Sequence, residues 1–378
     1  MRAIQIKFCL LLACPPVLAA LSSVSAAETA PQKATANADD KTVWVDCKNL
    51  VVEGKGWTET QSFYDRLPAK AEGKVTPSVW GLSHHSAGMC VPFTSDAPSI
   101  QVRWTLLPNG SLSMPHMPAT GVSGVDLYSQ DNQSGRWSFV ANGRPAAVTN
   151  TAKFTPPAGQ PCLLYLPLYN GVTSVEIGIP QGSTLAGSDP AAIKHRKPIV
   201  IYGTSITQGG CASRPGMVHT AILGRRLDLP VINLGFSGSG RMEAALAECL
   251  AQLDPSVYVL DCLPNMSAAE LTERVEPFVR TLRQAHPDTP ILLVEDRTYA
   301  NAFIIPGTRA RNDTSRAAHM AAYERLLAAG VTGLHYLAGE DLLGNDGEGT
   351  VDGSHPTDLG FVRQADAMEK ALRPLVGR

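Results

Sequence analysis

The sequence predicts an α/β domain with a parallel sheet, over residues 198–378, preceded by an all-β sandwich of jelly-roll type over residues 41–180. Two contrasting rhythms and one break predict it. The first half carries short β-prone runs at 42–45, 99–106, 122–128, 136–140, 163–168 and 173–179, parted by turn signals such as Pro108-Asn109-Gly110 and Asn142-Gly143. It shows no convincing helical period. From residue 198, strand-length apolar runs at 198–202, 230–234, 257–261, 291–295 and 334–337 alternate with helical patterns. Right-handed crossovers then place helices on both faces of the sheet, giving three layers. The break is residues 181–197, whose Gly182, Gly187, Asp189 and Pro190 read as a connection.

The helices carry their own signals. Ser267 with Glu270 three residues on is a capping box, opening a helix over 267–285 that Pro277 is expected to kink. Residues 314–329 read as a helix ending at Gly330, and 359–372 as the last one.

Composition bounds the function. Of 378 residues 44% are hydrophobic and 17% charged, the net charge is −2, and there are 33 glycines and 28 prolines. Low charge and a sizeable apolar fraction exclude a disordered chain. No basic run suits nucleic acid, and no GxxxxGK[ST] loop suits a nucleotide. Arg2 and Lys7, the apolar stretch 8–21 and Val24-Ser25-Ala26 read as a cleaved signal peptide over 1–26. Residues 27–40 read as a linker. The protein is thus expected to be exported, periplasmic or extracellular, with no membrane span. Leu11-Leu12-Ala13-Cys14 offers the alternative of a lipoprotein acylated at Cys14. Six cysteines remain after the leader, without CxxC or zinc spacing. Cys249 sits on an apolar helical face and reads as a buried thiol; a Cys211–Cys262 disulfide is geometrically conceivable.

Ligands of an open parallel sheet bind beyond the carboxyl ends of its strands. The residues just after each predicted strand are therefore informative. The first strand leads into Gly203-Thr204-Ser205, the second into Gly235 to Gly240, the third into Cys262-Leu263-Pro264-Asn265, the fourth into Asp296-Arg297-Thr298-Tyr299, and the last into a loop bearing Asp352-Gly353-Ser354-His355. A hydroxyl, a Gly-rich turn, an amide and a carboxylate–imidazole pair share one edge, and acyl transfer needs those parts. Each has a plainer reading by itself. Ser205 and Gly238 suit turns, Asn265 suits a helix cap, and Arg297 and Tyr299 suit an ion pair and packing. His84-His85 finds no third metal ligand at sensible spacing. No GxSxG elbow occurs, which argues against an ordinary α/β-hydrolase.

In these blocks the chain resembles the SGNH (GDSL-like) hydrolase family, whose fold is flavodoxin-like. The first half is similar to the β-sandwich that precedes some of its esterases, through Gly124-Val125-Asp126-Leu127-Tyr128 and Trp80-Gly81-Leu82-Ser83. The resemblance implies Ser205 as nucleophile, His355 as base and Asp352 as its orienter. It implies an oxyanion hole of Ser205 N–H, Gly238 N–H and the Asn265 amide. Thr204, Leu263 and Met266 depart from the family pattern. Family members of this layout are often carbohydrate esterases, so a secreted acetyl esterase acting on carbohydrate is expected, with no metal or organic cofactor. The alternatives are a lysophospholipase or thioesterase of the same fold, or a non-catalytic glycan-binding module. Arg297 and Tyr299 are the candidate substrate contacts.

Overall fold

A computed structural model of the chain describes residues 42–189 and 196–377. The expected leader, Cys14, the linker and the middle of the connection lie outside the described residues.

Nine strands build the first half: β1 Thr42–Asp46, β2 Cys90–Ser95, β3 Ile100–Leu106, β4 Val125–Gln130, β5 Trp137–Gly143, β6 Thr149–Phe154, β7 Cys162–Tyr165, β8 Val172–Pro180 and β9 Leu185–Gly187. They form one antiparallel sheet in the order β1-β8-β3-β6 and a second in the order β5-β4-β7-β2-β9. β3 alternates buried and half-buried residues, as a strand with one face on a core must. Trp104, Phe93, Phe154 and Ile177 pack in that core. Three strands escape the sequence rhythm. β2 contains Pro92, β6 is polar, and β9 lies in the segment expected to be a connection, yet pairs with β2. A seven-residue helix, Pro77–Ser83, is too short to show a period and is set by its Thr76 cap and a proline in its first turn.

The second half has five parallel strands: β10 Ile199–Gly203, β11 Val231–Gly235, β12 Val257–Asp261, β13 Ile291–Val294 and β14 Leu334–Leu337. Every residue of β10 to β13 is buried. This is why these strands read as unbroken apolar runs: a parallel sheet is covered on both faces. Strand order is β11-β10-β12-β13-β14. The chain reverses direction across the sheet between β10 and β12, and the crevice between their carboxyl ends is where such a fold binds ligands. The capping box at Ser267 forms in full, and Ala268–Ala285 runs as one helix through Pro277. The helix expected from residue 314 begins earlier, at Pro306, and ends at Ala328.

The two halves share their cores. Leu67, Val75 and Val79 of the first pack with Leu234, Phe236 and Leu250 of the second. Met117, Val122 and Leu168 pack with Ile206, Ala212 and Phe361. Arg66 crosses the junction and is 1% exposed. Its Nε donates to His85 O (2.8 Å), Nη2 to Leu82 O (2.6 Å), and Nη1 to Gly235 O (2.6 Å) and Asn233 O (3.3 Å). No carboxylate pairs with it among the described residues. Burial lowers its pKa to about 9, so it stays charged at neutral pH. Its fork is satisfied by carbonyls at the end of β11, the strand that leads into the Gly-rich turn.

Arg66→Met keeps the length of the side chain but strips donors from four carbonyls. Charge-assisted bonds contribute about 1.5–3 kcal/mol each when removed singly. Unfolding in urea should show a loss of at least about 1.5 kcal/mol. An unchanged midpoint would mean that the two halves do not depend on this residue.

Candidate active site

Ser205 follows β10 directly and opens the short helix Ser205–Gln208. Thr204, where the family pattern has an acid, caps that helix through Oγ1, which accepts from Ile206 N (3.2 Å). Threonine is a competent cap, so the departure leaves the turn intact. The carbonyl of Ser205 accepts from Gly209 N (3.0 Å), Gly210 N (2.7 Å) and the Tyr169 hydroxyl (3.0 Å). Gly209 has φ +110°, a left-handed conformation that glycine adopts without a side-chain penalty.

The loop after β14 brings up the imidazole. Ser205 Oγ lies 2.8 Å from His355 Nε2, and His355 Nδ1 lies 2.7 Å from Asp352 Oδ2. Asp352 Oδ1 accepts from His355 N (2.8 Å) and Ser354 N (3.0 Å). Burial works to raise the Asp352 pKa, but these bonds outweigh it and hold the carboxyl below its ordinary range. An ionised carboxylate only accepts, so Nδ1 must carry the proton, and Nε2 faces Ser205 with its lone pair.

An open cleft of about 290 Å³ is lined by Ser205, Ile206, Pro264, Asn265, Tyr299, Asp352, Ser354 and His355. Of the expected substrate contacts, Tyr299 is here. Arg297 is not. It is 1% exposed, with Nη1 and Nη2 on Asp261 (2.9 and 2.7 Å) and Nε on Gln364 Oε1 (3.3 Å). Asp261 also accepts from Thr207 Oγ1 (3.1 Å). The pair forms the floor beneath the Ser205 turn, and the expectation of substrate contact is corrected for Arg297.

Asn265 is held from two sides. With its amide oriented so that both ends are satisfied, Oδ1 accepts from Ser239 N (3.2 Å) and Gly240 N (3.3 Å). The NH₂ is then the end that can donate elsewhere. Arg311 fixes the preceding residue by donating to Pro264 O (2.5 Å). Gly238 stands on the adjoining turn with φ +67°, and no atom lies within 4 Å of where a Cβ would stand, but it does not line the cleft.

The group that ties these pieces together leaves no mark in the sequence. Gln208 is fully buried. Its Nε2 donates to Leu168 O (3.1 Å) and lies 3.0 Å from His85 Nδ1, both in the first half, while Oε1 accepts from Ser237 N (3.1 Å) in the Gly-rich turn. Burial, followed by the nearby Arg66 charge, lowers the His85 pKa to about 3, so its ring is neutral and Nδ1 accepts. Glutamine at the end of a short helix carries no signal in a lone sequence. His84 is engaged separately, with Nδ1 3.0 Å from Asp65 Oδ1. Among the described residues no group of three or more His, Cys, Asp or Glu is placed to hold a metal, and no helix is long and apolar enough to cross a membrane.

The first half also reaches the rim. The His116 ring centroid lies 6.3 Å from that of His355. Cys211 and Cys262 are separate buried thiols, which corrects the conceivable disulfide. Cys262 Sγ turns to Tyr202 O in β10 (3.7 Å). Burial pushes the Cys211 thiol up to about 12, with Asp352 adding to the shift.

Comparison with known proteins agrees with this architecture. Residues 196–373 match the model of the GDSL-like lipase/acylhydrolase family, and residues 42–185 match the model of the N-terminus of SGNH-hydrolase-type esterases. A protein described as a GDSL-like lipase from Bacteroides ovatus is 36% identical, over 89% of this chain and 98% of its own, with a TM-score of 0.83. A salicylyl-acyltransferase from a tetracycline biosynthetic pathway is 18% identical over 89% and 99% of the two chains, with a TM-score of 0.72. A family two carbohydrate esterase from Cellvibrio japonicus is 14% identical over 89% and 98%, with a TM-score of 0.54. The latter two share the fold. No curated protein matches the chain. With both halves matched in order and a 36% identical relative spanning nearly all of it, the chain belongs to the GDSL-like (SGNH) hydrolase family.

Proposed function

We propose that the protein is an exported serine esterase that removes short acyl groups, acetyl foremost, from carbohydrate. The observation that carries this reading is the continuous hydrogen-bonded line Ser205 Oγ–His355–Asp352, with contacts of 2.8 and 2.7 Å, opening on a cleft beside Asn265. His355 Nε2 takes the Oγ proton as Oγ attacks the acyl carbon. In the cleft the tetrahedral oxyanion is met by Ser205 N–H and the Asn265 amide, and Gly238 N–H, on the turn beside it, is the expected third donor. Asp352 stabilises the imidazolium that forms. The imidazolium then protonates the departing sugar oxygen. Water, deprotonated by the same nitrogen, cleaves the acyl-enzyme.

Acetyl preference is supported by the small cleft, and a carbohydrate substrate by the family two carbohydrate esterases among the structural neighbours. One observation favours a second reading. Phe303, Ile304 and Ile305 are 79%, 66% and 42% exposed, and Phe303 follows cleft residue Tyr299 by four positions. Such an apolar lip would suit a longer acyl chain, as in a lysophospholipase or thioesterase.

Two variants test the site, and a substrate series separates the two readings. Ser205→Ala should abolish turnover of p-nitrophenyl acetate while leaving the melting temperature close to wild type, and residual turnover near the wild-type rate would refute the assignment. Asn265→Ala should lower kcat by roughly 10²–10³-fold, or ~2.7–4 kcal/mol of transition-state stabilisation, with KM little changed. Ser267, not Asn265, caps the helix that follows, so if Asn265 only braces the turn at Ser239 and Gly240, stability falls instead and kcat holds. Across p-nitrophenyl esters, kcat/KM should be highest at two or three carbons. A maximum at eight or more, lost on Phe303→Ser, would move the assignment to the apolar-lip reading.

A further inference from the structure

The flank where edge strand β5 meets the helix His219–Leu227 combines surface aromatic rings with four arginines. Trp137 and Phe139 lie two residues apart on β5, hence on one face of it, and Phe139 is 43% exposed. Arg214 lies 3.9 Å over the Phe139 ring, and Arg225 lies 3.9 Å over that of Tyr128.

Two of the four arginines here are neutralised. Arg214 pairs with Asp126 (3.1 Å), and Arg226 with Asp366 and Glu369. Arg136 and Arg225 make no ion pair within 4.0 Å among the described residues, and meet Asp131 and Asp126 only from further off. Nη2 of Arg225 donates to Gly216 O (2.8 Å), but its Nη1 is buried without any hydrogen-bond partner. A buried cationic donor is costly to leave unmade and calls for an acceptor. Two hollows lie against this guanidinium: a partly enclosed one of about 270 Å³ between the halves and an open groove of about 450 Å³. Trp137 and Arg225 line both.

The position separates this place from the catalytic cleft. The enclosed hollow reaches Leu229 and Val231, at the start of β11, whereas Ser205 follows the end of its parallel neighbour β10. A five-residue strand spans ~16 Å, so the two places lie at opposite edges of the sheet.

We infer that Trp137, Arg136 and Arg225 form a second binding site, for the uronate units of an acidic polysaccharide. A carboxylate matches the unpaired guanidinium, and the C–H face of a pyranose ring matches the indole. Hollows continuing on both sides of the Trp137–Arg225 pair suit consecutive units of a chain rather than a single small acid. The inference rests on the esterase reading only in supposing that the protein works on polysaccharide. The site would hold an acidic polymer while the cleft acts on its esters.

Affinity electrophoresis of the full chain carrying Ser205→Ala, in native gels containing polygalacturonate, tests it without turnover. Retardation is expected, weakened by added salt and absent with neutral hydroxyethyl cellulose. Trp137→Ala in the same background should weaken affinity at least tenfold, as should Arg225→Gln. Arg225 also bonds Gly216, so Arg225→Gln is read only if its melting temperature is retained; Trp137→Ala carries the test otherwise. Trp137→Ala with Ser205 intact should hydrolyse p-nitrophenyl acetate at the wild-type rate, which shows that it folds. No retardation by polygalacturonate, equal retardation by the neutral polymer, or full retardation of Trp137→Ala would each overturn the site. Failure of the esterase reading shows separately, as absent p-nitrophenyl acetate turnover by the wild type.

Discussion

The hydrogen bonds of Gln208 join everything that the site requires. One buried amide holds the helix that starts at Ser205, the turn that carries Gly238, and the segments of the first half at His85 and Leu168. An amide serves here because it donates and accepts at once without carrying charge into the core. Its donors meet a carbonyl and a neutral imidazole, and its acceptor meets a backbone N–H. No end is left over. The geometry of the Ser205 turn is thereby coupled to the β-sandwich, which is a structural part of the site as well as its neighbour in sequence.

Charge buried around this amide obeys the same rule of complete pairing. Arg66 spends its donors on carbonyl groups, and Arg297 meets Asp261 through two parallel bonds. Neither side chain is available to a substrate. Both stiffen the backbone at the carboxyl ends of β11 and β12, between which β10 leads into Ser205. The Asp352–His355 pair, by contrast, is partly open to solvent, with side chains 47% and 28% exposed. In the proposed mechanism that is the place where a proton moves and a substrate enters. Rigid buried pairs below and a wet pair above are the division that preorganised catalysis needs.

Much of this was legible in the sequence, for identifiable reasons. β10 to β13 are buried on both faces and so read as apolar runs; from them the edge carrying Ser205, Asn265 and His355 followed by topology alone. The Asp352-x-x-His355 spacing is local, and its loop needs no distant partner to be recognised. The capping box at Ser267 is likewise a three-residue signal. What stayed hidden depends on contacts between residues far apart. Gln208, Arg66 and Tyr169 look like ordinary polar residues until the halves meet. Arg297 followed a strand as a substrate contact would, but its side chain turns inward to an acid 36 positions earlier. β9 is too short, and β2 too interrupted by Pro92, to stand out before their pairing is known.

The chemistry stands or falls on Ser205 as a nucleophile activated by the imidazole 2.8 Å away. Reaction with a fluorophosphonate, followed by peptide mass spectrometry, gives the sharpest test, because the reagent modifies activated hydroxyls irrespective of the natural substrate. A single adduct on Ser205 is expected in the wild type, formed many-fold more slowly in His355→Ala. An adduct on another residue, or labelling of Ser205 at the same rate without His355, would contradict it.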